Sequence, residues 1–132
     1  MGHDIVTAAR TLLGTRFRLH GRDPASGLDC IGLVLLAHAR AGVRLYTVGL
    51  SDDYSLRGTS RAVLEAGLVK AGLAQRTGPP HPGDIALVNC GQAQFHLAIL
   101  CHESHIHAHA GLRHVVETPG WPDGMVGVWC AV

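Results

Sequence analysis

The sequence is poor in charged residues, which make up 16% of its 132 positions, against about 25% in an average soluble domain. With 47% hydrophobic residues beside so few charges, disorder is excluded for most of the chain. A surplus of either sign is also lacking, because 11 basic side chains balance 10 acidic ones and the formal net charge is +1. Neither nucleic acid nor an anionic membrane surface is therefore expected as a partner.

The four cysteines include no Cys-x-x-Cys pair, and their wide spacing argues against both a disulfide scaffold and a zinc ribbon. No basic segment followed by a long apolar run opens the chain, so we expect no secretory signal, no membrane span and synthesis in the cytoplasm. The length predicts a single domain over residues 1–132. Histidine, by contrast, is abundant, with 10 residues in all, and six lie in the C-terminal third: His96, His102, His105, His107, His109 and His114.

The N-terminal part of the chain predicts three helices, at 4–13, 29–42 and 59–72, from the spacing of apolar residues. Asp29 is the expected N-cap of the second helix and Gly42 its C′ residue. This helix is apolar nearly all round, so we expect it to be buried at the centre of the domain. The third helix is expected to turn four side chains inward: Val63, Leu64, Leu68 and Val69.

Short alternating runs follow a strong break at 78–83 (GPPHPG), and we expect loops at 14–28 and 43–57, with a turn at Ser51-Asp52-Asp53. Helices followed by consecutive strands indicate an α+β fold with an antiparallel sheet of about five strands. The predicted strands are 84–89, 95–101, 106–110, 112–117 and 125–130.

Cys30 is the first candidate for chemistry, because it opens the second helix. Unpaired backbone N–H groups and the positive end of the helix dipole favour a thiolate there. The alternative is a small buried hydrophobic residue in an apolar helix, and position alone does not decide between the two.

Histidines on the predicted strands are the second candidates. Alternation places His96 on one strand face, and His105, His107 and His109 together on one face of the next strand. The three could ligate zinc, or one of them could orient a catalytic His96. The zinc interpretation leaves Cys30 unexplained. Cysteine, base histidine and a polar residue that orients the imidazole form a papain-like site, which needs no cofactor and no metal.

Four motifs in the right order resemble those of the NlpC-type peptidoglycan endopeptidases, a papain-like cysteine peptidase family. GTRFRLHG at 14–21 with GLDCIGLV at 27–34 resembles the family's G-T-P-Y-x-W-G-G and D-C-S-G-L-V signature. PGDIAL at 82–87 is similar to P-G-D-L-V-F, HLAI at 96–99 to H-V-G-I, and HIHA at 105–108 to F-I-H-A. The resemblance covers most of the chain. It implies a papain-like fold in which the nucleophile opens a central helix packed on the sheet.

The resemblance also implies roles for individual residues. Cys30 would be the nucleophile, His96 the base and His107 the residue that orients it. His109 is the alternative to His107. The implied substrate is peptidoglycan stem or cross-link peptide, and the implied substrate-binding residues are Asp29, Phe17 and His20.

Departures from the motif bear on the substrate. Phe17 replaces the usual tyrosine, Ile31 the serine after the nucleophile, and Leu19-His20 the Trp-Gly pair. In family members that bind a free N-terminal L-alanine, that tyrosine, that serine and the aspartate before the cysteine hold the amine. Only Asp29 of the three is present here, so we expect attack within the intact wall.

Within this family, the chain resembles a subgroup that is encoded with phage tails and gene transfer agents. The resemblance consists of the long segment 44–80, the lack of a leader and the closing residues from Trp121 to Trp129. This likeness implies a peptidase carried on a phage-like tail tip. The hydrophobic share of 47% and residues 129–132, which we expect to be exposed, indicate a surface kept for a partner. Two alternatives stay open: an amidase or acyltransferase on the same scaffold, and a catalytically inactive tail structural protein.

Overall fold

The computed structural model describes residues 2–46, 60–91 and 94–131. Its three helices are α1 (Gly2–Arg10), α2 (Cys30–Arg40) and α3 (Arg61–Lys70). None of the helices in these ranges is long and apolar enough to cross a bilayer. The strands are β1 (Arg22–Asp23), β2 (Gly27–Leu28), β3 (Leu73–Gln75), β4 (Ile85–Gly91), β5 (Gln94–Leu100), β6 (Ser104–His109), β7 (His114–Pro119) and β8 (Met125–Ala131).

Six of the strands form one sheet in the order β3-β8-β4-β5-β6-β7, and every neighbouring pair is antiparallel. Strands β1 and β2 form a separate antiparallel pair within the 14–28 segment. The α+β prediction is confirmed, but the sheet has a sixth strand, β3, before the break at 78–83. The sequence does not predict β3, because a strand of three residues is too short to show an alternating pattern. Its pairing partner, β8, lies near the C-terminal end of the described residues. The expected turn at 51–53 lies outside the described residues.

Helix α2 begins and ends as the sequence predicts. The Asp29 side chain accepts a hydrogen bond from the backbone N–H of Gly32 at 2.8 Å, which satisfies one of the unpaired donors of the first turn. Gly42 follows the last turn with a φ of +80°, a conformation that glycine adopts without steric cost. Most of the helix is buried, including Cys30, Leu33 and Val34, so its central position is confirmed.

Gly32 allows the 14–28 segment to lie directly on the first turn of α2. A Cβ atom added at Gly32 would collide with the backbone carbonyl oxygen of Gly21. This close approach brings the backbone of His20 and the side chain of Arg22 to the Asp29 carboxylate. The loop and the helix start therefore form one packed unit.

The two faces of the sheet have different surroundings. Leu97, Ile99 and Ile106 face α2 and share a core cluster with Leu33 and Val34. On the opposite face a smaller cluster contains three buried residues: Ala86, Val88 and Leu100. Because Val88 pairs with His96, the histidine belongs to this second face.

Two expectations about exposure are wrong. Val63 and Val69 are 46% and 57% exposed, so only Leu64 and Leu68 of the four predicted residues of α3 are buried.

Trp129 is 3% exposed because β8 lies inside the sheet, between β3 and β4. It therefore belongs to the core and not to an outer docking surface, while Val132 lies outside the described residues.

His38 is a fully buried titratable group on α2. Its Nδ1 is 2.8 Å from the Val34 carbonyl oxygen, to which an Nδ1–H donates, and Nε2 has no hydrogen-bond partner among the described residues. Burial lowers the pKa of His38 from its usual 6.5. The unfolded chain therefore binds a proton more readily than the folded one, and stability falls as the pH drops below about 6.5.

We expect the His38→Leu variant to lose less stability than the wild type between pH 7 and pH 5, because leucine has no proton to bind and no unpaired nitrogen to bury. Thermal unfolding followed by circular dichroism at both pH values measures the difference. An equal loss of melting temperature in the two proteins would contradict this role of His38.

Candidate active site

The Cys30 thiol is enclosed at the start of α2. The residue is 3% exposed, and the thiol lies within hydrogen-bonding reach of its own backbone and of the backbone of Leu97 on β5. Leu97 directly follows His96 in the chain. The packing of α2 on β5 thus places the sulfur beside the strand that carries the candidate base.

Burial raises the pKa of Cys30 to about 12, and the charge of the adjacent Asp29 raises it further, against weaker opposite effects of the nearby backbone and of Arg22. Desolvation therefore outweighs the effect of the helix terminus, which by itself favours a thiolate. At neutral pH Cys30 holds its proton. A nucleophilic role requires a base that removes the proton during attack.

Asp29 is engaged by the protein on both carboxylate oxygens. Oδ1 accepts from the Gly32 backbone N–H and from Arg22 Nη1, each at 2.8 Å, and Oδ2 accepts from the His20 backbone N–H at 2.9 Å. His20 contributes its backbone here, with a φ of +61°, while its side chain is exposed. Phe17 is partly buried against the core, and its N–H donates to the Arg113 carbonyl oxygen at 2.8 Å.

His96 and His107 contact each other across β5 and β6. The register pairs Ile99 with Ile106 and places both histidines on the same face of the sheet, opposite α2. His96 Nε2 lies 3.1 Å from His107 Nδ1, and the two rings meet edge to face with centroids 5.3 Å apart. The structure therefore brings His107, the residue favoured by sequence, to His96.

The neighbouring histidines have other hydrogen bonds. His109 Nδ1 accepts from the Leu112 N–H at 3.0 Å, and an Nδ1–H of His105 donates to the Gly120 carbonyl oxygen at 2.8 Å. Both rings still lie close to that of His107, at 4.7 Å for His105 and 5.4 Å for His109. Within the described ranges, no three His, Cys, Asp or Glu side chains are arranged to hold a metal ion.

Sequence reasoning missed Thr118 on β7. Its Oγ1 lies 3.0 Å from His107 Nε2, so both ring nitrogens of His107 have protein partners. Thr118 pairs with His105 in the β6–β7 ladder and shares the face of the histidines. Alternation could have suggested that face, but the choice of partner depends on the register of the β6–β7 hairpin, which alternation alone does not fix.

Burial lowers the pKa of His96 to about 4, and repulsion from His105 and His109 contributes. Burial lowers the pKa of His107 to about 4 as well, with contributions from the surrounding imidazoles. No carboxylate is among the groups that affect these two pKa values. Both rings are therefore neutral at neutral pH, and each has one nitrogen that can accept a proton.

The Cys30 thiol reaches the backbone of Leu97, the residue after His96, but it is not hydrogen-bonded to the His96 imidazole. Leu97 packs in the same core cluster as Cys30, whereas His96 leaves the opposite face of β5. None of the hydrogen bonds of the described residues joins the thiol to the imidazole. Catalytic hydrogen bonds are often long or poorly aligned before substrate binds, and a catalytic pair of Cys30 and His96 stays a prediction.

The fold is that of the NlpC/p60 domains. The NlpC/p60 domain of the peptidoglycan hydrolase SagA superposes with a TM-score of 0.63 at 20% identity, over 98% of this chain and 98% of that one. NlpC1 from Trichomonas vaginalis gives 0.67 at 19% identity, over 98% and 44% of the two chains. The peptidoglycan hydrolase RipB from Mycobacterium tuberculosis gives 0.58 at 20% identity, over 97% and 62%.

The likeness is structural. No protein-family model matches the sequence, and no curated protein matches it either. The chain spans the whole of the SagA domain but less than two thirds of the RipB and NlpC1 chains. These comparisons confirm the predicted fold, and the roles of the site residues stay predictions.

We expect Asp29→Asn to increase the alkylation rate of Cys30 at pH 8 several-fold. The substitution keeps an N-cap residue but removes the negative charge that raises the pKa of the thiol, and it leaves the positive charge of Arg22 uncompensated. Peptide mass spectrometry after iodoacetamide treatment measures the rate for each cysteine.

Cys90 is the internal reference, because it is exposed and far along the chain from the substitution. We expect Cys90 to be labelled before Cys30 in the wild type, because Cys90 is exposed and Cys30 is buried. An unchanged Cys30 rate in Asp29→Asn would show that the carboxylate does not control the thiol.

Proposed function

We propose that this chain is a cysteine peptidase that hydrolyses amide bonds in peptidoglycan peptides, with Cys30 as nucleophile, His96 as base and His107 as the residue that orients His96. The observation that carries the proposal is the 3.1 Å contact between His96 and His107 in an NlpC/p60 fold whose α2 begins at Cys30. The neighbours described as peptidoglycan hydrolases support the choice of substrate class.

The proposed reaction begins with a neutral thiol and a neutral imidazole. His96 Nε2 is engaged by His107, so Nδ1 is the nitrogen left to take the Cys30 proton as the sulfur attacks the amide carbonyl carbon. The resulting imidazolium gives its proton to the leaving amine when the C–N bond breaks. Water, deprotonated by His96, then hydrolyses the thioester, releasing the carboxylate product and restoring the Cys30 thiol.

The developing oxyanion needs a hydrogen-bond donor near the sulfur. The Gly32 N–H is taken by Asp29, whereas the Cys30 N–H lies beside its own thiol at the positive end of α2. We assign the oxyanion to the Cys30 N–H.

The Asp29 contacts support a substrate within the intact wall. A free ammonium group would need a carboxylate to pair with, but Arg22 already neutralises Asp29, and both oxygens accept from protein donors. An acylated stem peptide has no such requirement. Internal stem or cross-link amides are therefore the proposed substrates.

Digestion of purified peptidoglycan, with mass spectrometry of the released fragments, tests the proposal. We expect Cys30→Ala to abolish release and His107→Ala to reduce it by roughly 100-fold, the scale of acid–base contributions. The matched control is His109→Ala, which removes a neighbouring imidazole with a different hydrogen-bond partner and should change little.

Several results would redirect the proposal. If His109→Ala is the damaging variant, the orienting residue is His109. Activity abolished by a chelator and restored by zinc would favour the metal interpretation. Faster product release with an added amine acceptor would indicate an acyltransferase, and no release by any preparation would favour an inactive structural protein.

Delivery by a phage-like particle is a second part of the proposal, supported by the sequence resemblance to tail-associated peptidases. Trp129, which the sequence placed on the docking surface, is buried and is not part of that surface. The exposed apolar side chains that remain available to a tail protein include Leu19, Leu112 and Trp121.

We expect the protein to co-purify with tail proteins when it is expressed from its native locus, because a docked peptidase stays with the particle. Sedimentation of particles followed by immunodetection measures the association. Tails that assemble without the protein, while it remains free, would contradict delivery.

A further inference from the structure

We propose that Thr118 is a positioning residue of the active site, which fixes the tautomer of His107 and, through it, leaves His96 Nδ1 unprotonated. This inference rests on the proposed function. It stands on a continuous row of three side chains on one face of β5, β6 and β7: His96, His107 and Thr118.

The row can be hydrogen-bonded in two directions. In the first, His96 Nε2–H donates to His107 Nδ1 and His107 Nε2–H donates to Thr118 Oγ1. In the second, the Thr118 hydroxyl donates to His107 Nε2 and His107 Nδ1–H donates to His96 Nε2. A neutral imidazole carries one proton, so each direction fixes which nitrogen of His96 is free.

Only the first direction suits a base. It leaves the lone pair of His96 on Nδ1, the nitrogen without a partner in the row, whereas the second puts a proton there. After His96 takes the thiol proton, its Nε2–H still donates to His107 Nδ1, and Thr118 still accepts. The first direction therefore serves both protonation states with no proton moved along the row, whereas the second would have to reverse.

Thr118 is suited to hold this direction because a hydroxyl can accept without carrying charge. A carboxylate at the end of the row would also hold it, but none is among the groups that shift the pKa of His96 or His107. As acceptor, Thr118 completes the first direction and adds no charge that would raise the proton affinity of the rings. His96 then stays unprotonated well below neutral pH.

Nuclear magnetic resonance of protein labelled with ¹⁵N-histidine tests the tautomers directly and does not need activity. In the wild type at pH 7 we expect protonated Nε2 and unprotonated Nδ1 for both His96 and His107. Thr118→Val keeps the branched shape of a strand residue but removes the acceptor, so we expect mixed tautomers. Thr118→Ser, which keeps the hydroxyl, should restore the wild-type pattern.

Kinetics on peptidoglycan fragments give the second readout. We expect Thr118→Val to lower kcat roughly tenfold with little change in KM, because a tautomer defect affects the proton step and not binding. Ser104→Ala is the matched control: it also removes a hydroxyl hydrogen bond, to Glu117 Oε2 at 2.6 Å, but on the other face of β6. This control should retain wild-type kcat.

The outcomes separate the two proposals. Wild-type tautomers that persist in Thr118→Val, or a Ser104→Ala variant that loses as much kcat, would overturn the role of Thr118. A protein that cleaves no peptidoglycan but shows the expected tautomers and their loss in Thr118→Val would overturn the proposed function while the role of Thr118 stands.

Discussion

The Asp29 carboxylate is the interaction on which the geometry of the site depends. It caps α2, holds the backbone of His20 and pairs with Arg22, so a single side chain joins the helix to the loop that lies on its first turn. The same charge stands next to Cys30 and disfavours the thiolate. The residue that joins the loop to the helix therefore also favours, together with burial, the protonated form of Cys30.

This arrangement differs from a thiolate–imidazolium pair. Burial acts in opposite directions on the two kinds of group: it raises the pKa of the Cys30 thiol to about 12 and lowers that of His96 to about 4. Both groups are therefore neutral at neutral pH. In the proposed reaction, charge develops only as the proton moves, and backbone N–H groups and the histidine row would stabilise it, because no carboxylate is among the groups that shift the pKa of His96 or His107.

The features that depend on local sequence pattern were predicted correctly. The cap at Asp29, the glycine after α2, and the shared face of His105, His107 and His109 all follow from spacing and residue type. The state of Cys30 did not follow, because the helix terminus is visible in the sequence but the burial of the thiol against β5 is a tertiary property.

Long-range pairing accounts for the other differences. Strand β3 and the burial of Trp129 both depend on the position of β8 between β3 and β4, which pairs strands that are far apart in the sequence. No short segment carries that information. The width of the buried face of α3 was not predictable either. Val63 and Val69 have the helical spacing of buried residues, but both are exposed.

The same topology has a consequence during folding. Strands β4 to β7 are neighbours in both sequence and sheet, so the strands that hold His96 and His107 can pair early through short loops. Cys30 lies on a helix whose packing against β5 and β6 joins distant parts of the chain. Until that packing forms, the thiol is solvated and has the ordinary acidity and reactivity of a free cysteine. Folding therefore protects this sulfur from oxidants, and the newly made chain is more vulnerable at Cys30 than the finished protein.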